Sequence, residues 1–412
     1  MLLIGDIHIN YKEKEGILDS LKEMIQQHPD EKNIIFLGDY VFSFNYERQP
    51  LLELYHFFVS LYWQGKNVYV LAWNHDRIKE NFVFEEGRTT CEMFQNQETS
   101  GVNHCLKFIT EPLLEEIEGE KFLFLPHTLD FDVSQYPWIE EFQDINYHAL
   151  IEKENKNLTL SAKANTIIAY FKAHEHHFTV LHHYYFEWTK FPGQNSTFLF
   201  KDAALDHKWL DDPELSFVSW HLHKPFNCKN YLCLGSIWTT SSTESNQIKW
   251  YWTYHQGKYD FYEIGLKYYF VFDKREEKGN VQPLSEQDLV QFYENLQIQT
   301  KENMIGKNID FHFLNTINLK TINVTCLTSD INYEQEHVKQ LIDPNLQKEL
   351  HDFHLKKEFE KSEITLEGIE NSEQLKLGML EWKNLLKELI QKKYPEQYQE
   401  YEDLLRALSI LK

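Results

Sequence analysis

Three short apolar runs near the start of the chain constrain the fold most: Leu2 to Gly5, Ile34 to Leu37 and Val68 to Ala72. Between them lie two segments with helical periodicity. Lys12 to Gln27 carries Ile17, Leu18, Leu21 and Met24 at helix spacing, and Pro50 to Trp63 repeats the pattern. An uninterrupted apolar strand must be buried on both faces, and amphipathic helices supply the cover. These residues therefore predict α/β units. With 412 residues the chain has room for about two to three domains. Its 42% hydrophobic and 15% aromatic content is ample for a packed core and excludes wholesale disorder.

Further along, Leu106 to Pro112 and Lys121 to Leu129 read as strands, after a polar stretch from Gly87 to Cys105. Helical patterns occupy Ile139 to Glu154 and Ser161 to Lys172. Phe178 to Phe186 and Leu215 to Trp220 read as strands. Tyr231 to Ser236, Lys249 to His255 and Lys258 to Ile264 are expected as successive antiparallel strands, the last two joined by a Gln256-Gly257 turn. The texture changes near Phe272, where a charged stretch suggests a boundary. Helix Ser285 to Gln297 and strands Ile309 to Phe313 and Thr321 to Leu327 then form a small α+β unit. From about Asn332 the expectation is mainly helix, with an a/d seam at Leu375, Met379, Trp382, Leu386 and Leu389. The division this implies is 1–272, 280–330 and 332–412.

Five segments are loaded with metal-ligand residue types: Gly5-Asp6-Ile7-His8, Gly38-Asp39, Asn74-His75-Asp76, His182-His183 and His221-Leu222-His223. Nearly all come directly after an apolar run, at the expected C-terminal end of a strand, the edge where open α/β sheets build sites. Asp6 with His8, and His221 with His223, share a direction if the backbone is extended. Singly, each motif is ordinary: a helix cap, a surface pair or a turn. In series they offer carboxylate oxygens, one amide oxygen and imidazoles, a mixture suited to manganese, iron or zinc. Seven donors exceed what one ion needs, so two ions are expected. Two ions roughly 3.5–4 Å apart clamp the attacking and leaving oxygens of an in-line phosphoryl displacement.

The series D-x-H, G-D, N-H-D, a strand-end His and H-x-H resembles that of the calcineurin-like metallophosphoesterases. His221-Leu222-His223-Lys224-Pro225, with Cys233-Leu234-Gly235-Ser236-Ile237 beyond it, is similar to the SbcD-type DNA double-strand-break repair nucleases and their phage recombination relatives. The motifs span about residues 1–270. The resemblance implies an α/β fold, a two-sheet sandwich flanked by helices, with a small α+β capping domain and C-terminal helices. It implies that Asp6, His8 and His223 hold one metal, that Asn74, His182 and His221 hold the second, and that Asp39 bridges them. His75 acts beside the scissile phosphate and Asp76 orients it. Manganese is the first choice of ion, with iron, zinc or magnesium as alternatives. Within the double histidine, His182 continues the Val180-Leu181 strand and matches the family position, which leaves His183 facing the other way. The family usually carries Gly before N-H-D and before H-x-H; this chain has Trp73 and Trp220 there. Packing against adjacent strands is the favoured role for both rings, stacking on a base the other.

The activity implied is metal-dependent DNA exonuclease and endonuclease cleavage within an SbcCD-like repair and recombination complex. No P-loop motif occurs, so an SbcC-type ATPase partner would supply it, docked on the C-terminal helices. The Pro50 to Trp63 helix is a candidate homodimer face. Lys224, Lys229, Lys249, Arg77 and Lys79 are candidate phosphate contacts. A stand-alone phosphodiesterase or phosphatase on small nucleotides or phosphoproteins is the alternative, against which the small domain and helices after residue 280 count; the net charge of −23 argues against a general polyanion binder, so DNA would be held by local lysines, the metals and a partner. Five cysteines without a C-x-x-C, no signal peptide and no long apolar run predict a cytoplasmic protein with reduced thiols and no membrane span.

Overall fold

A computed structural model describes residues 1–41, 48–72, 76–78, 81–85, 88, 104–127, 156–186, 203–220, 223–238, 244–265, 268–273, 283–306, 308–328 and 342–357. The apolar runs form strands as their composition requires. β1 (Leu2–Ile4), β2 (Asn33–Phe36) and β3 (Asn67–Leu71) are linked by helices α1 (Lys14–Gln27) and α2 (Arg48–Trp63). β4 (Leu106–Ile109) continues this parallel set. The chain then builds a second sheet from β5 (Leu113–Ile117), β6 (Glu120–Leu125), β7 (Phe178–His182), β8 (Leu215–Ser219), β9 (Phe226–Cys228) and β10 (Tyr231–Cys233), with α3 (Lys156–His174) between β6 and β7. It returns to the first sheet with β11 (Trp250–His255), β12 (Lys258–Glu263) and β14 (Ile309–His312). The first sheet has seven strands in the order β14-β12-β11-β1-β2-β3-β4, the second six in the order β9-β10-β8-β7-β6-β5. Both are mixed.

Alternation along the strands separates three cores. Leu3, Ile35 and Leu71 meet Phe124, Leu181, Val218 and Leu232 in one cluster, so the inward faces of the two sheets share a core with Trp250 and Trp252. The opposite face of the first sheet, through Leu2, Ile4, Phe36 and Val70, packs on Leu21 of α1 and Phe58 of α2. The opposite face of the second, through Leu123, Val180 and Phe217, packs on Ala164 and Ile168 of α3. Glu118-Gly119 and Gln256-Gly257 both have positive φ and close two-residue hairpins, the backbone that matches strand twist.

A smaller sheet contains β13 (Tyr268–Asp273), β15 (Ile322–Thr328) and β16 (Asp352–Lys357), with helices α4 (Glu286–Asn303) and α5 (Pro344–Glu349) nearby in sequence. α4 opens with a capping box between Ser285 and Asp288, which satisfies two orphan end groups. Met1–Leu327 and Asn332–Lys356 form one compact unit; Thr328–Ile331 and Lys357–Lys412 form another, nearly all of it outside the described residues. Two expectations change. Tyr231–Cys233 is not part of the antiparallel run with β11; it lies parallel to β8 in the second sheet, because Leu232 faces the shared core while Tyr231 and Cys233 face the α3 side. Helix does not occupy all of the chain after Asn332, since Asp352–Lys357 is a strand. The Ile139 to Glu154 helix and the Leu375 to Leu389 seam fall outside the described residues. No helix among the described residues is long and apolar enough to cross a membrane.

Candidate metal centre

Parallel β1, β2 and β3 end at the same edge of the first sheet, and parallel β7 and β8 end together in the second. The loops after β1 and β2 run side by side: His8 N–H donates to Asp39 O (2.9 Å) and Ile9 N–H to Tyr40 O (2.8 Å). Asp6, His8, Asp39 and His223 each offer a ligand atom there, all within 4.8 Å of one another. Asp6, His8 and Asp39 are buried, and His223 is 22% exposed. Of the four, His223 is the most exposed.

All four residues have positive φ: 48° at Asp6, 47° at His8, 49° at Asp39 and 53° at His223. Left-handed backbone is uncommon for residues other than Gly and concentrates at functional sites. Asp6 and His8 were expected to share a direction through extended backbone; instead, sharp local turns aim them. Two glycines make the crowding possible. Gly5 lies so close to Trp220 that a Cβ would sit 2.9 Å from its Cγ. At Gly235, with φ +75°, a Cβ would sit 3.1 Å from His223 O and from Pro225. This is why a Gly-Ser segment passes behind the histidine.

The polar contacts fit a cation. His8 Nδ1 lies 3.1 Å from Val41 O, and His223 Nδ1 lies 2.9 Å from Glu244 Oε1. Both partners are acceptors, so a neutral ring at either position would place its proton on Nδ1. The two Nε2 atoms lie 3.4 Å apart, and His223 Nε2 lies 3.1 Å from Asp6 Oδ2; in that tautomer both present lone pairs to the centre. Acceptors converge on acceptors. Neither Asp6 carboxylate oxygen has a hydrogen-bond partner among the described residues. Burial pushes the Asp6 carboxyl well above its usual range, and the neighbouring Asp39, Glu244 and Asp76 push the same way against Lys249. The excess of buried carboxylates over the single Lys249 ammonium favours a further cation, and two carboxylates with two imidazoles suit a borderline-hard divalent metal.

The other expected site residues divide. Asp76 is fully buried, and its carboxylate accepts from Asp39 N–H (3.0 Å) and Tyr40 N–H (2.6 Å), so it braces the Asp39 loop. His183 Nε2 lies 3.1 Å from Asp39 Oδ2. His182 instead sits among the rings of Phe186, Phe217 and Tyr231. Its Nδ1 accepts from Tyr184 N–H at 3.1 Å, and burial lowers its pKa to about 3. The double histidine thus presents His183 to the Asp39 side, opposite to the sequence expectation. Trp220 is completely buried, with its ring 5.9 Å from that of His183; it packs and offers no face to a base. Asn74, His75, His221 and Trp73 lie outside the described residues.

Sequence reasoning missed Glu244. It also misread Lys249, which is no phosphate contact. Lys249 is 3% exposed, and its ammonium is held by Glu244 Oε2 (2.8 Å) and Ser236 Oγ (2.7 Å). Lys229 pairs with Asp211 at 2.7 Å. No protein-family model matches this chain, and no curated protein matches it.

Proposed function

We propose that this chain is a two-metal-dependent phosphodiesterase that hydrolyses DNA, acting as an SbcD-type nuclease subunit with an SbcC-type ATPase. The observation that carries the reading is the largely buried convergence of Asp6 and His8 after β1, Asp39 after β2 and His223 after β8. In this reading Asp6, His8 and His223 hold the first ion and Asp39 is shared. His183, on the Asp39 side, joins Asn74 and His221 at the second. Bound divalent metals, manganese first, supply Lewis acidity and lower the pKa of water toward ~7. The residues of the chain place and move protons. Asp76 fixes the backbone that carries Asp39, and His75 donates a proton to the departing sugar oxygen, an effect of roughly 10²–10⁴-fold. A homodimer through α2 would cover Leu52 and Trp63, which are 51% and 69% exposed.

A stand-alone phosphodiesterase on small nucleotides is the second reading. The net charge of −23, with Lys229 and Lys249 already paired internally, favours it. One experiment separates the two. The full chain with manganese is given end-labelled duplex DNA, single-stranded DNA and a chromogenic phosphodiester, beside His75→Ala. DNA degradation lost in the variant supports the nuclease. Cleavage of the small ester alone supports the second reading. No turnover on any substrate refutes both.

A further inference from the structure

Glu244, Lys249 and Ser236 form a buried chain of contacts behind His223. Glu244 Oε1 meets His223 Nδ1 at 2.9 Å, Glu244 Oε2 meets Lys249 Nζ at 2.8 Å, and Lys249 Nζ donates to Ser236 Oγ at 2.7 Å. Their exposures are 6%, 3% and 0%. Three buried polar side chains in series are expensive to desolvate unless they complete one another. No strand or helix needs them there. Ser236 lies in a loop, and Lys249 immediately precedes β11.

We propose that Glu244 and Lys249 are positioning residues that hold His223 as a metal donor; this rests on the metal-site reading above. A carboxylate only accepts, so Glu244 keeps the imidazole proton on Nδ1 and leaves the Nε2 lone pair aimed at Asp6 and His8. His8 is held in the same tautomer by the neutral Val41 carbonyl. The two histidines therefore differ in the charge behind them. His223 is therefore the more sensitive of the two to loss of its support.

Lys249 has a separate task. Asp6 already feels Asp39, Asp76 and Glu244, and Lys249 opposes them. Without that ammonium, Glu244 would be one more uncompensated buried carboxylate. Lys249 also anchors the distal oxygen, so Glu244 cannot swing toward the cation and become a ligand itself. The pair orients the histidine without adding net charge to the centre.

Glu244→Gln tests the idea. With the amide oxygen toward His223, its NH2 confronts the Lys249 ammonium. Flipped, the NH2 faces Nδ1 and favours the tautomer whose Nε2 carries the proton. Manganese binding to the full chain is measured by equilibrium dialysis. Long-range proton–nitrogen spectra of the metal-free protein report the His223 tautomer, assigned by loss in His223→Gln. The expected result is about 10–100-fold weaker manganese binding in Glu244→Gln, with loss of the Nδ1–H signature at His223 and its retention at His8. A purely structural role would leave that signature unchanged. Wild-type protein that binds no manganese refutes the metal-site reading itself. Wild-type protein that binds, beside a Glu244→Gln variant with equal affinity and an unchanged tautomer, overturns the positioning role alone. If Glu244→Gln does not fold, Glu244→Asp decides. It keeps the charge beside Lys249 but falls short of Nδ1, so affinity equal to wild type overturns the proposal and a tenfold or greater loss upholds it.

Discussion

Gly5→Ala is the sharpest test of how the centre is packed. A Cβ there would lie 2.9 Å from Trp220 Cγ and 3.2 Å from its Cβ and Cδ1, closer than side chains tolerate. Gly5 is not among the residues with positive φ, so its backbone is open to alanine and the penalty is steric alone. Overpacking of a dense core costs about 1–3 kcal/mol. The smaller unfolded-state entropy of alanine returns about 0.4–1 kcal/mol. The expected net loss is about 1–2 kcal/mol, read by urea unfolding monitored with far-ultraviolet circular dichroism. Asp6 is the next residue, so manganese affinity should also fall, by about tenfold, the lower end of what losing ligand support costs. Trp220→Ala removes the clashing ring at a cost of about 3–5 kcal/mol. On that background Gly5→Ala should become mildly stabilising, a coupling of about 1–3 kcal/mol between the two sites. A Gly5→Ala protein as stable as wild type, with unchanged manganese affinity, would refute the reasoning.

The described geometry carries three further outcomes. His183→Ala should lower the number of manganese ions bound per chain while leaving the core intact. His182→Ala should keep metal binding but lose about 2–4 kcal/mol to a cavity among Phe186, Phe217 and Tyr231; the reverse pattern would restore His182 as the ligand. Glu263 is buried, which raises its pKa despite hydrogen bonds from Tyr268, Tyr293 and the Leu314 N–H. An acid raised in the fold holds its proton more tightly there than in the unfolded chain. Its contribution is therefore fully present below the unfolded carboxylate value of about 4.3 and is lost as pH rises through the folded one. Glu263→Gln should flatten the decline of stability above that pH in urea titrations; an unchanged profile would rule Glu263 out as its source. Manganese at about 100 times its dissociation constant should stabilise the protein by about 2.7 kcal/mol, reversed by chelator, and no shift in melting temperature would count against a bound ion.

The strand-end residues of the candidate centre were legible because local pattern fixes both the strand and the turn at its end. Asp6, His8, Asp39 and His223 each stand just beyond an apolar run. His183 was within reach too. Leu181 faces the core between the sheets and Val180 the helix side, so period-two alternation puts His183, not His182, on the Leu181 side. Continuity with the strand was the wrong criterion. Glu244 and Lys249 were not legible. Neither lies in a motif, and only the fold brings them behind His223. The position of β10 was hidden for a similar reason, since a three-residue strand carries no local mark of the sheet it joins. The left-handed backbone at Asp6, His8, Asp39 and His223 is also invisible in the sequence, because loop packing imposes it against intrinsic preference.

The chain's route through its sheets bears on how the protein can be made. It lays down β1 to β4 of the first sheet, builds the whole second sheet, and only then supplies β11, the antiparallel neighbour of β1. His8 and His223, whose ring nitrogens end 3.4 Å apart, are 215 positions apart along the polypeptide. At a synthesis rate of roughly 5–20 residues per second, about 10–40 s separate the emergence of one from the other. Throughout that interval the open edge of β1 and the apolar faces beside it wait for partners not yet translated. Folding should be slow and dominated by long-range contacts, and nascent chains shorter than about 255 residues should depend on chaperones to stay soluble.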